Sequence, residues 1–361
     1  MRATVMRNRR LVVDNVPTPV PGPGEVLVKT LACGICGSDL HALKYADKLV
    51  EGAKRSGGSF VMDLDRDVVM GHEFCVEVVD HGPDTKKNFK AGSRACSMPV
   101  LIRNTGVETV GYSNENPGGY AEFMRLTEAL LLPVPNGLGT DHAALTEPMA
   151  VGYHAVEKAR LTPDDVPLVI GCGPVGLSVI SSLKLRGIHP IVAADFSGGR
   201  RRFAEQLGAD VVIDPKEKSP YTSWKEMAVW SDPSKAPTLP PWLPGPALRP
   251  AVIFECVGVT GVIDQLMLNA PAHARIVVVG VCMERDAFEP MFGINKELNL
   301  QFVLGYTPQE FAATLRNIAE GKVNVTPLIT ATVGVEGVAQ AFQDLGSPER
   351  HAKIIVEPWH S

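Results

Sequence analysis

Three short segments carry side chains whose types and spacing could do chemistry. Cys33-Gly34-Ile35-Cys36-Gly37-Ser38-Asp39-Leu40-His41 holds two thiols, a hydroxyl, a carboxylate and an imidazole, while Gly71-His72-Glu73 and Glu147-Pro148 add an imidazole and two carboxylates. A Cys-x-x-Cys pair alone suits a redox dithiol or half of a zinc ribbon. No second Cys-x-x-Cys exists in the chain, so the ribbon fails, and a redox dithiol belongs at a helix start in a much smaller domain. A catalytic zinc takes about three protein ligands of mixed sulfur, nitrogen and oxygen type and keeps one position open. Cysteine, histidine and glutamate make such a set, although each taken singly reads as a core thiol, a buried imidazole or a surface carboxylate. Such a metal lowers the pKa of bound water from about 15.7 to about 7. At 1.36 kcal/mol per unit this is about 11–12 kcal/mol, more than one hydrogen bond supplies.

A second constellation lies downstream. Leu168-Val169-Ile170 runs into Gly171-Cys172-Gly173-Pro174-Val175-Gly176, a helical pattern follows, and Asp195 ends the next apolar run 24 positions after Gly171. A lone GxGxxG is weak, but between a strand and a helix it is the dinucleotide fingerprint. The first glycine permits the tight turn, the second lets backbone approach the pyrophosphate, and the third allows close helix packing. The helix N-terminus supplies amide donors. The Asp195 carboxylate suits ribose hydroxyls and repels a 2′-phosphate, whereas Arg200-Arg201-Arg202 could clamp one. We read those arginines as the solvated start of the next helix and expect NAD, with NADP less favoured.

Positioning these groups needs more than one core. A chain of 361 residues defaults to two domains. Residues 1 to about 150 read as short strands punctuated by Pro and Gly; from Asp141 helical spacing begins, and strands then alternate with helices, the pattern of a parallel sheet covered on both faces. From Pro308 the pattern is mixed again and ends in Lys353-Ile354-Ile355-Val356. Between Pro215 and Pro250 stand nine prolines and three of the four tryptophans, which predicts an ordered, packed loop rather than a long helix. The net charge of −5 argues against nucleic acid. No run approaches the roughly 20 apolar residues of a membrane span, and the basic N-terminus lacks the apolar core of a secretory signal. Seven scattered cysteines fit a reducing compartment, so a cytoplasmic protein is expected.

The segments GICGSDLH, GHEF, GGYAEF, ALTEPMAVGYHA, GCGPVGL, FECVG and AKIIVEP occur in this order over nearly the whole chain. Together they resemble the zinc-containing medium-chain dehydrogenases, above all the sorbitol, threonine and glucose dehydrogenase branch. The resemblance implies an α/β chain with a β-rich GroES-like catalytic domain (1–150 and 299–361) and a doubly wound Rossmann cofactor domain (151–298). It implies hydride transfer between a secondary alcohol or polyol and NAD(P), with one catalytic zinc. Cys36 and His72 become zinc ligands and Cys33 a packed thiol. Glu147 is a third ligand or holds the metal-bound water, while Glu73 is a direct or exchangeable ligand, and the two stay undecided. Asp39 would orient the histidine ligand, and Ser38 and His41 would form a proton relay. Cofactor contacts fall to Gly171, Gly173, Pro174, Val175, Gly176, Asp195, Arg200, Val257 and Gly280.

The chain departs from the family pattern in two places. Asp80 to Gly171 holds only Cys96, so a four-cysteine structural zinc is not expected and the region from Met98 to Asn116 should be held by ordinary packing. The interval from Cys36 to His72 is long, with the excess over Glu51 to Asp67 read as a loop near the active-site mouth. The strand Ile276 to Val281 followed by Leu298 to Gly305 resembles the sheet edge through which family members pair, so a homodimer or homotetramer is expected. Rival readings are a zinc-free quinone or enoyl reductase and a non-catalytic dinucleotide-binding protein; the substrate among polyols, cyclic and simple secondary alcohols stays open.

Overall fold

The computed structural model describes residues 1–58, 62–135, 137–239, 246–347 and 349–360. The chain divides into two compact units, Met1–Pro148 with Thr307–Ser361, and Met149–Tyr306.

The first unit is built on the strand Glu25–Gly34, whose Val26, Val28, Thr30 and Ala32 are fully buried. It pairs antiparallel with Glu73–His81, Phe123–Thr127 and Lys353–Val356. Because these neighbours run opposite to it, the end of Glu25–Gly34 lies beside the beginnings of two other strands. Gly34 faces Glu73 on one side and Ile355 on the other. Phe74, Tyr120, Met124, Leu126 and Ile354 fill the core beneath.

The stretch expected to be a loop, Glu51 to Asp67, is corrected in its first part. Glu51 to Ser56 continue the helix Ala46–Ser56, which buries Ala46, Val50 and Ala53 at helical spacing and ends on left-handed Gly57. Residues 59–61 lie outside the described set. A second correction concerns Met98 to Asn116, which is held by charge as well as packing. The hairpin Val100–Arg103 and Gly106–Thr109 puts Arg103 beside buried Glu25, with Nε 2.8 Å from Oε1. Arg103 also reaches Asn116 Oδ1 (3.3 Å), Arg125 donates to the same oxygen (2.9 Å), and the Asn116 amide donates to Glu108 (3.0 Å).

The second unit is a six-stranded parallel sheet in the order Val211–Ile213, Val192–Ala194, Val166–Ile170, Ala251–Glu255, Arg275–Val278, Asn299–Phe302. This is the doubly wound dinucleotide-binding order, with its switch point between the third and fourth strands in that list. The boundary drawn at 298/299 is corrected: Asn299–Phe302 pairs in parallel with Arg275–Val278, so the unit runs on to Tyr306. The short apolar run is claimed by the ladder beside it, which no local pattern reports.

The proline-rich stretch begins with a helix, Pro220–Met227, with Ser219 as N-cap and proline at its first position. Trp224 is buried under the sheet and donates to Val166 O at 2.8 Å. Arg249 fixes the far end by donating to the carbonyls of Asp164 (2.9 Å) and His189 (3.1 Å). Trp242 lies outside the described residues. Among the described residues, no helix is long and apolar enough to cross a membrane.

Candidate active site

Cys36 is the N-cap of the helix Gly37–Lys44, which starts just beyond the central strand. His72 and Glu73 arrive at the start of the adjacent strand, and the ligand atoms of Cys36, His72 and Glu73 all lie within 4.8 Å of one another. Cys33 is fully buried within the strand, and burial pushes its thiol well above the ordinary range. The two cysteines therefore differ in kind: Cys33 packs, and Cys36 faces the cluster.

The Glu73 carboxylate lies over Gly34, where a Cβ would collide with Oε2. Lys353 Nζ donates to both Glu73 oxygens, at 2.6 Å to Oε2, and to Ile35 O at 3.0 Å. Both side chains are buried. Glu147 sits buried in the first turn of the helix Thr146–Lys158; its charge reaches Lys353, but it is not one of the three clustered groups.

Asp39 is fully buried behind the cluster. Its Oδ2 accepts from Cys36 N (3.1 Å) and Tyr120 Oη (2.6 Å), and its Oδ1 accepts from Tyr112 Oη (2.7 Å). Burial and the Asp39 charge push both phenols well above their ordinary range, so both remain donors. His72 Nδ1 lies 3.3 Å from Asp39 Oδ1, yet off line for a hydrogen bond, and is a buried polar atom without a partner. A thiol, an imidazole and a carboxylate whose ligand atoms converge within 4.8 Å of one another suit a zinc ion.

Ser38 Oγ is 2.9 Å from Tyr112 Oη. His41, on the same helix, is half-buried against Tyr45 and its Nδ1 has no partner. Burial, aided by Lys44, lowers its pKa below the ordinary imidazole value expected from sequence.

In the second unit Gly171 has φ +92°, and a Cβ there would come 2.8 Å from Val257 Cγ2. A Cβ on Gly176 would strike the Gly171 carbonyl, while one on Gly173 would stand clear of all but Arg200 at 3.9 Å. Gly173 caps the helix Pro174–Leu185 without a side chain. Val257 and Gly280 lie past the ends of neighbouring strands, joined through Glu255, which accepts from Val257 N (2.7 Å) and whose carbonyl accepts from Gly280 N (2.9 Å). Asp195 accepts from Cys172 N and Ser197 N, both at 2.8 Å. This backbone-lined turn before a helix N-terminus suits a dinucleotide pyrophosphate.

The GroES-like alcohol dehydrogenase domain model matches residues 22–136, and the zinc-binding dehydrogenase domain model matches residues 174–320. The chain belongs to the zinc-containing medium-chain alcohol dehydrogenases. (R,R)-Butanediol dehydrogenase of Bacillus subtilis is 29% identical to this dehydrogenase over 99% of its chain and 100% of the relative's. Sorbitol dehydrogenase of Bos taurus is 28% identical over 92% and 89%. The crystal structure of 2R,3R-butanediol dehydrogenase from Bacillus subtilis matches with a TM-score of 0.79 at 27% identity, covering 99% of each chain. The protein is thus an alcohol or polyol oxidoreductase of the zinc-binding kind.

Three residues of the dehydrogenase's site were missed in the sequence: Lys353, Tyr112 and Tyr120. Lys353 and Tyr120 stand inside AKIIVEP and GGYAEF, so the motifs marked their neighbourhoods without their partners. Tyr112 has no such signal. It lies in the segment where most zinc-containing relatives were expected to carry structural cysteines.

Proposed function

We propose that this dehydrogenase interconverts a secondary alcohol carrying a neighbouring hydroxyl with its ketone, using NAD and one zinc ion held by Cys36, His72 and Glu73. The clustering of those three ligand atoms carries the reading. The butanediol and sorbitol of the relatives' names both present a secondary hydroxyl beside a second oxygen, which supports the substrate class. A bound zinc would supply Lewis acidity that makes an alcohol easier to deprotonate, and the nicotinamide would accept the hydride. The protein's own groups do the rest. The Asp39 carboxylate lies beside the His72 ring and favours its orientation by charge, Ser38 accepts the substrate hydroxyl's hydrogen bond, and His41 is a neutral terminal proton acceptor near pH 7. Gly171 makes the tight turn, Gly173 leaves room for the pyrophosphate and Gly176 lets the helix pack close against the turn, with Pro174 and Val175 opening that helix.

NAD is favoured over NADP because Asp195 is already fixed by two amides at the end of its strand. Arg201 is committed to Asp214 (2.8 Å) and to the carbonyl of Asp195, leaving Arg200 at 3.9 Å from Asp195. Free thiols fit a cytoplasmic address. The edge strand Asn299–Phe302, with Phe302, Leu304 and Ile294 exposed, suits pairing with a second copy, since an unpaired apolar edge invites association. Steady-state rates on 2,3-butanediol and sorbitol with NAD and then NADP test the reading. Turnover with NAD that Cys36→Ser abolishes is expected. Full activity of zinc-free protein, or a preference for NADP, would overturn the corresponding part.

A further inference from the structure

We propose that Tyr112 is a positioning residue that aims the Ser38 hydroxyl and locks it to the Asp39 carboxylate. The inference rests on the functional reading above and extends it to a residue outside every family motif in the sequence. A phenol has one hydrogen, and that of Tyr112 is given to Asp39 Oδ1 at 2.7 Å. The 2.9 Å contact with Ser38 then requires Ser38 to donate to Tyr112 Oη. With its own hydrogen turned toward Tyr112 before substrate binds, Ser38 is set to accept a hydrogen bond from the substrate alcohol, and that hydrogen must swing away from Tyr112 when Ser38 hands a proton on toward His41. The same phenol lies beside the His72 ring, centroids 5.2 Å apart, so one side chain touches Ser38, Asp39 and His72.

The backbone holds Tyr112 in this place. Gly111 has φ +87°, and a Cβ there would come 2.9 Å from Gly71 O, next to His72. Tyr120 N donates to Met70 O at 3.0 Å and Gly119 N to Gly71 O at 2.8 Å, so the two segments are laced together beside the site. On the other side, Asn116 ties the stretch to Arg103 and Arg125. In the region where most zinc-containing relatives carry a four-cysteine lobe, as the resemblance implies, this chain has a charged clasp that delivers a phenol to the active site.

The test compares Tyr112→Phe, Ser38→Ala and the double variant as zinc-loaded enzymes. For Tyr112→Phe we expect kcat to fall about 10- to 100-fold, the scale of a misaligned reacting group, with KM within about twofold. Chelator-driven zinc release should quicken about tenfold, as for loss of a group that supports a metal ligand, and the visible bands of the cobalt-substituted enzyme should shift. The double variant should be no slower than Ser38→Ala, because both changes cut one connection. Turnover of Tyr112→Phe within twofold of wild type, or fully multiplicative losses, would overturn the proposal. A second measurement needs no Tyr112 variant. Of the six tyrosines labelled at Cζ with carbon-13, one should shift between wild type and Ser38→Ala, and no shift also overturns it. Zinc content and turnover of the wild type decide the functional reading separately, and the phenol-carbon signal is read whatever they show.

Discussion

Glu73 carries its carboxylate where side chains do not reach solvent, and Lys353 answers it from the last strand of the chain. Removing one member of a buried pair strands the other's charge, which costs about 3–5 kcal/mol. Lys353→Met should lower the unfolding free energy of metal-free protein by about that much, and adding Glu73→Gln should restore most of it; denaturant titration reads both. A loss that the second change fails to recover would mean that Lys353 acts by packing alone. His41 makes a pH prediction. Its folded pKa is lowered, so as the pH falls the unfolded chain takes up the proton first, near about 6.5. This contribution to stability is intact above that value and is lost as the pH falls toward the folded pKa. His41→Gln should therefore flatten the decline of Tm between pH 7 and 5. The same variant should cut alcohol oxidation about 100-fold, the low end for a proton-transfer group, and move the rate profile to higher pH. An unchanged rate and profile from pH 6 to 9 would remove His41 from the relay.

At the scale of elements, the hairpin of residues 100–109 hangs on Glu25, which is 2% exposed and faces both Arg103 and Arg125. Arg103→Met leaves the more distant Arg125, at 3.8 Å, and the amide of Gly22 as its partners. We expect a loss of about 3 kcal/mol, the lower end for breaking a buried pair, together with slower turnover, because Tyr112 belongs to the same segment. Unchanged turnover at lowered stability would separate the clasp from the site. The Pro220–Met227 helix has a different task. Trp224→Ala should cost about 3–5 kcal/mol as a core truncation while zinc content per folded chain stays the same, since the tryptophan packs under the cofactor sheet.

For the whole molecule, the cysteines and the free edge lead to two measurements. Cys96, the one thiol between Asp80 and Gly171, is buried and donates to Ala143 O. Elemental analysis should return one zinc per chain, and two tightly held ions would refute the single-site reading. Sedimentation at micromolar concentration should show a dimer or larger assembly. Phe302→Asp with Leu304→Asp should shift it toward monomer, since a charge on a buried edge is costly; a monomeric wild type would overturn this.

Cys36, His72, the glycines from 171 to 176 and Asp195 were legible because their chemistry depends on neighbours a few residues away. Spacing along the chain sets a helix cap, a tight turn or a strand end, and these recur wherever the same backbone geometry is needed. The pairing of Glu73 with Lys353 joins residues 280 apart, and that of Asp39 with Tyr112 and Tyr120 spans 73 and 81. Such contacts leave no periodicity to read. Glu73 and Glu147 were equivalent as letters; the register of Glu73 opposite Gly34 put only the former in the cluster with Cys36 and His72. Likewise the strand Asn299–Phe302 joined the cofactor sheet because an open ladder lay beside it. Local sequence determined which groups are available for chemistry, and tertiary packing decided their partners, because an unpaired charge or hydroxyl is costly once buried.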